Sequence, residues 1–329
     1  MHVGRSYRLV DFVLWSRRSV IYMIAVSLLA IGIYHIPGIV GFSVPWQIVL
    51  VLGTTVSLVA GFKNAQVLSR AGEALQLFAQ IAAGSRVFAS LCRDFTDADT
   101  ARILIHRHLA WLTALRFSLR RPMPWETMAR PANAEFRRRY HLAEDNSTLR
   151  AEIEPLLPGD ADTVLSARHP ALDLLDLQHR HIGQLFKDAA IPSQVFSELM
   201  KSMRDLHDQQ SRADRIKNSP YPRQYAIVGT MFVTIFCTML PFGALPIFAG
   251  MSDVLGPAAI WLTVPFSTLL GWMYMSLDQV GESTSNPFEG NANDVPISQI
   301  CRDIEIELRT ALGEAPLPAP LAPINGFAT

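Results

Sequence analysis

Three tracts without a single Asp, Glu, Lys or Arg constrain this chain more than any other feature. They are residues 19–62 (44 residues), 224–252 (29 residues) and 254–277 (24 residues). A helix covers a hydrocarbon core of about 30 Å with about 20 apolar residues. A charge at its centre costs about 2.5–3.5 kcal/mol even on the lenient insertion scale. The tracts therefore read as membrane spans. A soluble fold would have to bury all three as core helices beside strongly charged segments. The averages of 50% hydrophobic and 18% charged residues conceal this division.

The first tract is too long for one span, and "YHIPGIVGFSVP" (34–45) breaks it. His35, Pro37, Gly38, Gly41 and Pro45 all disfavour continuous helix there. The expected spans are 19–36 and 45–68, followed by two more on either side of the short turn "PIFAGMSDVLGP" (246–257). That makes two hairpins. Arg5, Arg8, Arg17 and Arg18 precede the first span; Lys63, Arg70, Lys217 and Arg223 follow the second or precede the third. Neither hairpin turn carries Lys or Arg, so both termini and the long middle segment are expected in the cytoplasm. The start does not read as a cleavable signal, because a second span follows the first directly. Cys92 and Cys301 fall in the cytoplasmic part and Cys237 in a span, so no disulfide framework is implied.

Helix formers dominate the middle segment. "EALQLFAQIAAGSRVFASLC" (73–92) repeats apolar residues at steps of three and four, which extends the second span out of the membrane as one long helix or a broken pair. "TARILIHRHLAWLTALRFSLRR" (100–121) is amphipathic and ends in basic residues that suit a helix C-terminus. "RPMPWETMARPANAEF" interrupts with three prolines, and 195–218 gives a further helix stopped by "SPYP". No alternating strand pattern or internal repeat occurs. The tail "APLPAPLAPINGFAT" (315–329) reads as disordered or as an extended strap.

Catalytic constellations are missing from the pattern, so the chain is not expected to be an enzyme. His106 and His108, and likewise His179 and His181, stand two apart and face different sides of a helix, whereas metal pairs on one helix face want a spacing of four. They are expected at the surface or an interface. No phosphate-binding glycine loop, nucleophile elbow or Cys-x-x-Cys occurs. "NST" (146–148) fits a glycosylation sequon, but on the cytoplasmic side. Zero net charge, with the charges on one side of a membrane, does not point to nucleic acid.

The second span differs from the others. "VPWQIVLVLGTTVSLVAGFKNAQ" (44–66) carries Gly53, Thr54, Thr55, Ser57, Ala60 and Gly61 in mid-membrane. Small residues let helices approach closely, and hydroxyls can face neighbours or water. Thr54, Leu58 and Phe62 stack along one face at steps of four. They would form three rings if several copies surrounded an axis; alternatively the stripe packs against another helix.

Four stretches resemble the bestrophin family in its own order. "GFKNAQVLSRAGEALQLFAQIAAGSR" (61–86) is similar to Gly-Phe-Arg-Asn-Asn, an aromatic, an Arg and a Glu-Ala-Arg-x-x-Trp run at the end of the family's pore-lining helix. "RIKNSPYPRQY" (215–225) resembles Glu-Arg-Ile-x-x-Thr-Pro-x-Pro-x-x-Tyr, and "FCTMLPFGAL" (236–245) resembles Phe-Cys-x-x-Leu-Pro-Phe. "LDQVGESTSNPFEGNANDVPISQICRDIEIEL" (277–308) resembles the tail Gly-Glu-x-x-x-x-Pro-Phe-Gly-x-x-x-Asn-Asp-Leu-Pro-Leu. The resemblance implies an all-α integral membrane protein with four spans per chain and a large helical cytoplasmic domain. It implies a homopentameric channel of the prokaryotic branch, in a bacterial inner membrane. Small monovalent ions would be its partners besides the bilayer, with a lean towards cations over chloride, although family members differ. The implied division is 1–18 cytoplasmic, 19–68 first hairpin, 69–223 cytoplasmic helical domain, 224–277 second hairpin and 278–329 cytoplasmic helix and tail. A non-conducting membrane scaffold or sensor is the alternative reading, and a membrane enzyme with an unfamiliar site among the histidines a third.

Aligned on Gly61-Phe62, the family's three neck rings fall on Thr54, Leu58 and Phe62, the stripe already read from spacing. Departures accompany the match. The upper ring, usually aliphatic, is Thr54; the basic position is Lys63 in place of Arg; Ala65, Leu68 and Phe78 replace Asn, an aromatic and Trp. Counting forward from "GQLF" places a second, cytoplasmic aperture at Gln194, with Ile191 as the other candidate. Lys63, Arg70 and Glu73 are expected to anchor and salt-bridge at the inner membrane interface. In animal members an acidic run after Pro-Phe helps to form a calcium clasp. Here "SNPFEGNANDVP" (285–296) offers only Glu289 and Asp294, and a hard cation wants six to eight oxygens. No metal or cofactor is expected: the loop reads as a structural junction, capped by its Asn and Asp, with Pro296 before the next helix.

Overall fold

The computed structural model describes residues 1–4, 8–36 and 44–329; Arg5 and most of the 34–45 break lie outside the described residues. The described residues form helices joined by turns and extended loops. Among the described residues there is no strand, only isolated bridges joining His2 and Ile324 to Phe327. In chain order the helices are α1 (Leu9–Tyr34), α2 (Trp46–Phe95), α3 (Ala98–Arg120), α4 (Pro131–Arg137), α5 (Leu149–Ile153) and α6 (Ala161–Ser166). They continue with α7 (Pro170–Lys187), α8 (Ser193–Asn218), α9 (Arg223–Ala249), α10 (Ser252–Leu255), α11 (Thr263–Ser283) and α12 (Ile297–Ala311). Four segments are long and apolar enough to cross a membrane: α1, α2, α9, and α11 with the 3₁₀ turn before it.

α2 organises both halves of the molecule. Its 50 residues form one unbroken helix, about 75 Å long at 1.5 Å per residue. About 20 residues suffice for the bilayer, so the remainder runs into the body as a rod. The sequence left open a broken pair; the structure has a single helix. Its buried face keeps an α-helical step over the whole length: Val49, Gly53, Val56, Lys63, Val67, Ala74, Leu77, Ile81, Phe88 and Cys92.

In the membrane half, glycines set the helix spacing. A Cβ on Gly53 would stand 2.8 Å from the Phe236 ring, and one on Gly243 2.6 Å from Val49. α9 therefore lies against α2 at backbone distance, as small residues permit. α1 packs along α11, where Trp272 Nε1 donates to Ser16 Oγ at 2.7 Å. α1 begins at Leu9, ten residues before the charge-free tract. It runs through Arg17 and Arg18 because Glu135 of α4 pairs with both, at 2.9 and 3.3 Å.

In the body one continuous core joins the lower half of α2 to α3, α7, α8 and α12, around Phe78, Phe88, Leu104 and Trp111. α3 starts on a side-chain cap, with Asp97 accepting from Asp99 N and Thr100 N. α7 is a helix that the sequence reading passed over. Its apolar face (Leu174, Leu175, Ile182) is buried against α3 and α8, while its other face is highly charged. The 315–329 tail is an extended strap that returns to the junction. There Phe327 stacks on Tyr140 with centroids 5.0 Å apart, and Gln299 N donates to Thr329 O at 2.9 Å.

His108 corrects an expectation. It is buried, with its ring between those of Phe88 and Trp111 and Nε2 2.9 Å from Ser85 Oγ. Burial pushes its pKa down to about 3, so it is a neutral core residue and not a surface one. The spacing of two did put His106 on another face, where it meets Glu314 of the tail at 2.6 Å.

The glycine contacts give a paired expectation. Gly243→Val should destabilise the detergent-solubilised protein by about 1–3 kcal/mol through overpacking on Val49. Gly183→Ala, inside α7 with open space at its Cβ, should be neutral or stabilise by roughly 0.5–1 kcal/mol. Thermal unfolding of the two variants reads the contrast.

Candidate pore face and its junction with the body

α2 has a second stripe, opposite its buried face, that none of the described residues covers. It includes Thr54, Leu58, Phe62, Leu68, Leu75 and Val87. Leu58 is 61% and Phe62 65% exposed. The three residues expected to form rings thus sit together on the open side of the helix. Thr54 Oγ1 donates to Leu50 O at 2.8 Å, which leaves its oxygen lone pairs free on the open side. The expected aperture residues separate. Gln194 is exposed in the first turn of α8, whereas Ile191 is 3% exposed in the body core.

Behind the stripe, one residue after Phe62, Lys63 turns into the helix bundle. Its Nζ lies 2.6 Å from Asp278 Oδ1 of α11, and both side chains are buried. Thr230 Oγ1 of α9 donates to Asp278 Oδ2 at 2.9 Å. Three helices meet at this pair. Losing one partner of a buried ion pair leaves an uncompensated charge at a cost of about 3–5 kcal/mol. Lys63 makes a salt bridge, as expected of it, and makes it to the neighbouring span α11. Arg70 and Glu73 do anchor α2 to α8, through the Ile216 carbonyl and Arg215 respectively.

The 285–296 loop joins α11 to α12 with its polar groups turned inward. Glu289 is buried; it accepts from Thr127 Oγ1 at 2.6 Å, from Thr127 N at 2.9 Å, and from Asn286 and Asn291 Nδ2. Asp294 accepts from Phe288 N at 2.9 Å and from Gly290 N at 2.5 Å, with Arg120 3.6 Å away. Phe288 has φ +87°, a conformation that costs a non-glycine residue on the order of 1–3 kcal/mol. It is held by the Asp294 bond, by the Arg120 bond to its carbonyl at 3.2 Å, and by its ring packed on Phe78. Gly290, at φ +93°, also stands where a Cβ would meet Leu142 at 2.7 Å. The loop is thus a plug keyed into the core against α2. A cation would have to take carboxylate oxygens away from N–H and O–H donors already bonded to them.

Burial is the largest influence on Glu289 and raises its pKa to about 8; the Thr127 donors pull the other way. Burial likewise raises Asp294, against the opposing Arg120 charge and the Phe288 and Gly290 amides. The inward turn of these side chains was not visible in the sequence, where Asn, Gly, Asp and Glu between prolines read equally as an exposed loop. Asp278 was missed as well, although its place at the first charge after an apolar tract was a signal.

Comparison with known proteins bears on this arrangement. The family model described as bacterial/fungal bestrophin protein matches residues 13–310. The voltage-dependent anion channel-forming protein YneE of Escherichia coli K12 is 26% identical, covering 94% of this chain and 95% of its own length. The voltage-dependent anion channel-forming protein mll4386 of Mesorhizobium japonicum is 24% identical, over 80% of this chain and 74% of its own. Among solved structures, a bacterial bestrophin homologue from Klebsiella pneumoniae shares the fold. Its TM-score is 0.74 at 21% identity, covering 91% of this chain and 99% of the other.

The buried carboxyl at the plug predicts a pH dependence. With the folded pKa of Glu289 raised from 4.5 to about 8, the folded state binds the proton more tightly than the unfolded one. Its contribution to stability is therefore complete below about pH 4.5 and is lost as pH rises towards 8. Thermal unfolding across this range should show the decline, and Glu289→Gln should flatten it.

Proposed function

Because the chain belongs to the bacterial and fungal bestrophin family, we propose that it is an ion channel: a homopentamer whose axial pore is lined by the open stripe of α2. The stripe carries the reading. A 50-residue helix buries one face from end to end and leaves the other uncovered by the described residues, at the Thr54, Leu58 and Phe62 positions that the family resemblance assigns to a neck. Copies arranged about an axis would cover that face and turn each residue into a ring. Leu58 and Phe62 would set the narrow apolar part, where passage depends on wetting, and the Thr54 hydroxyls would ease wetting at the outer end. Gln194 rings would line a polar second aperture in the body.

Lys and Arg placement supports a topology with both termini and the body in the cytoplasm, and the bacterial relatives support an inner-membrane location. Family and relatives point to ion passage and not to turnover. On ion sign, the lean towards cations drawn from resemblance meets relatives whose names say anion. The neck rings themselves carry no charge. We propose weak discrimination between small monovalent ions. Calcium is not part of the reading, since the plug carboxylates are already bonded within the chain.

Purified protein in a planar bilayer under a tenfold NaCl gradient tests this. A conductance is expected, with a reversal potential well short of both the sodium and the chloride limits. Leu58→Ala and Phe62→Ala should widen the neck and raise conductance severalfold. Silence from the wild type and from both widened variants, with pentamers intact by mass, would instead support the scaffold reading.

A further inference from the structure

The Lys63–Asp278 pair stands directly behind the proposed neck, and this inference rests on that pore reading. Lys63 follows Phe62 in α2, with Phe62 on the open face and Lys63 on the buried one. Asp278 meets it at 2.6 Å and is held from the far side by Thr230. On one side Val56, Val59, Phe232 and Val233 line a gap of only about 10 Å³ beside the pair; on the other, Lys63 shares a gap of about 20 Å³ with Thr127, Arg223, Glu282 and Asn286. Within α2, the charge-free run extends from Trp46 to Phe62, so Lys63 is the first charge an ion would approach from the outer end of the helix. On α11, Asp278 is likewise the first charge after the tract.

We infer that this pair determines ion discrimination by cancelling its own field at the neck. An ion at the Phe62 ring would be about one helix diameter from five such pairs. Each unit charge about 10 Å away, through a medium of effective dielectric constant about 20, changes ion occupancy on the order of tenfold, and five unpaired charges act in the same sense. A pair 2.6 Å across projects only a weak dipole over the same distance. The apolar rings are therefore electrically neutral because of what lies behind them as well as what lines them. Removing one partner exposes the other's field, with a direction fixed in advance.

Three variants test this in the same bilayer gradient, at pH 8. Lys63→Arg combined with Asp278→Asn leaves an unpaired guanidinium, which cannot lose its proton; Asn keeps one acceptor oxygen for it, and its amide can donate to the Thr230 hydroxyl. It should move the reversal potential towards the chloride limit, raising the chloride-to-sodium permeability ratio by at least about tenfold. Lys63→Met leaves the carboxylate and should move it towards the sodium limit by a similar factor. Lys63→Met with Asp278→Asn should return to the wild-type value. A pair with a packing role alone would lower stability in the single and double variants without opposite shifts. One assembled variant of either sign is enough, because its direction is specified. Conducting pores with unshifted or same-direction reversal potentials would overturn this inference and leave the channel standing. Silence from the wild type and from Phe62→Ala would overturn the channel reading, and this inference with it.

Discussion

The architecture depends on one constraint: backbone N–H and C=O groups inside a bilayer must be satisfied within their own segment. A helix meets that condition at every residue, and meets it equally well in water. α2 can therefore leave the membrane without a break and serve as the spine of the body. Everything else is arranged on one side of it: α9 and α11 against its upper half, α3, α8 and α12 against its lower half. Its other side is left open along the whole length.

Two polar constructions hold that arrangement. The Lys63–Asp278–Thr230 contact ties three spans together where the apolar tracts end. One helical turn beyond α11, the 285–296 plug inserts Phe288 against Phe78 of α2 and uses Glu289 and Asp294 to bond its own backbone and Thr127. Buried polar groups of this kind are costly unless fully bonded. At both sites every carboxylate oxygen accepts a hydrogen bond. That explains how a loop with a left-handed Phe288 can persist: several contacts that depend on this geometry offset its strain.

Legibility differed by element, for physical reasons. The three charge-free tracts were plain from charge alone, since a bilayer excludes charge whatever the tertiary fold, and the proline and glycine break divided the first of them into two spans. The amphipathic helices at 100–121 and 195–218 were plain because one face must be apolar. α7 was passed over because its "HRH" and the charges around it obscured a narrow apolar stripe. His108 was misplaced because the spacing of two separates faces without saying which face is inside. The pairing of Lys63 with Asp278 joins residues 215 positions apart, which no local pattern can report.

The sequence by itself determined which segments enter the membrane, the helical class, the orientation expected from Lys and Arg, and the face on which Thr54, Leu58 and Phe62 share a step. Those follow from local rules of solvation and helix geometry. Only the tertiary structure decided that α2 is unbroken, that its Thr54–Phe62 face is the uncovered one, that Ile191 is core while Gln194 is not, and that the acidic loop turns its carboxylates inward. Each of those depends on which distant segment arrives at a given face, and on the charge or the space it brings.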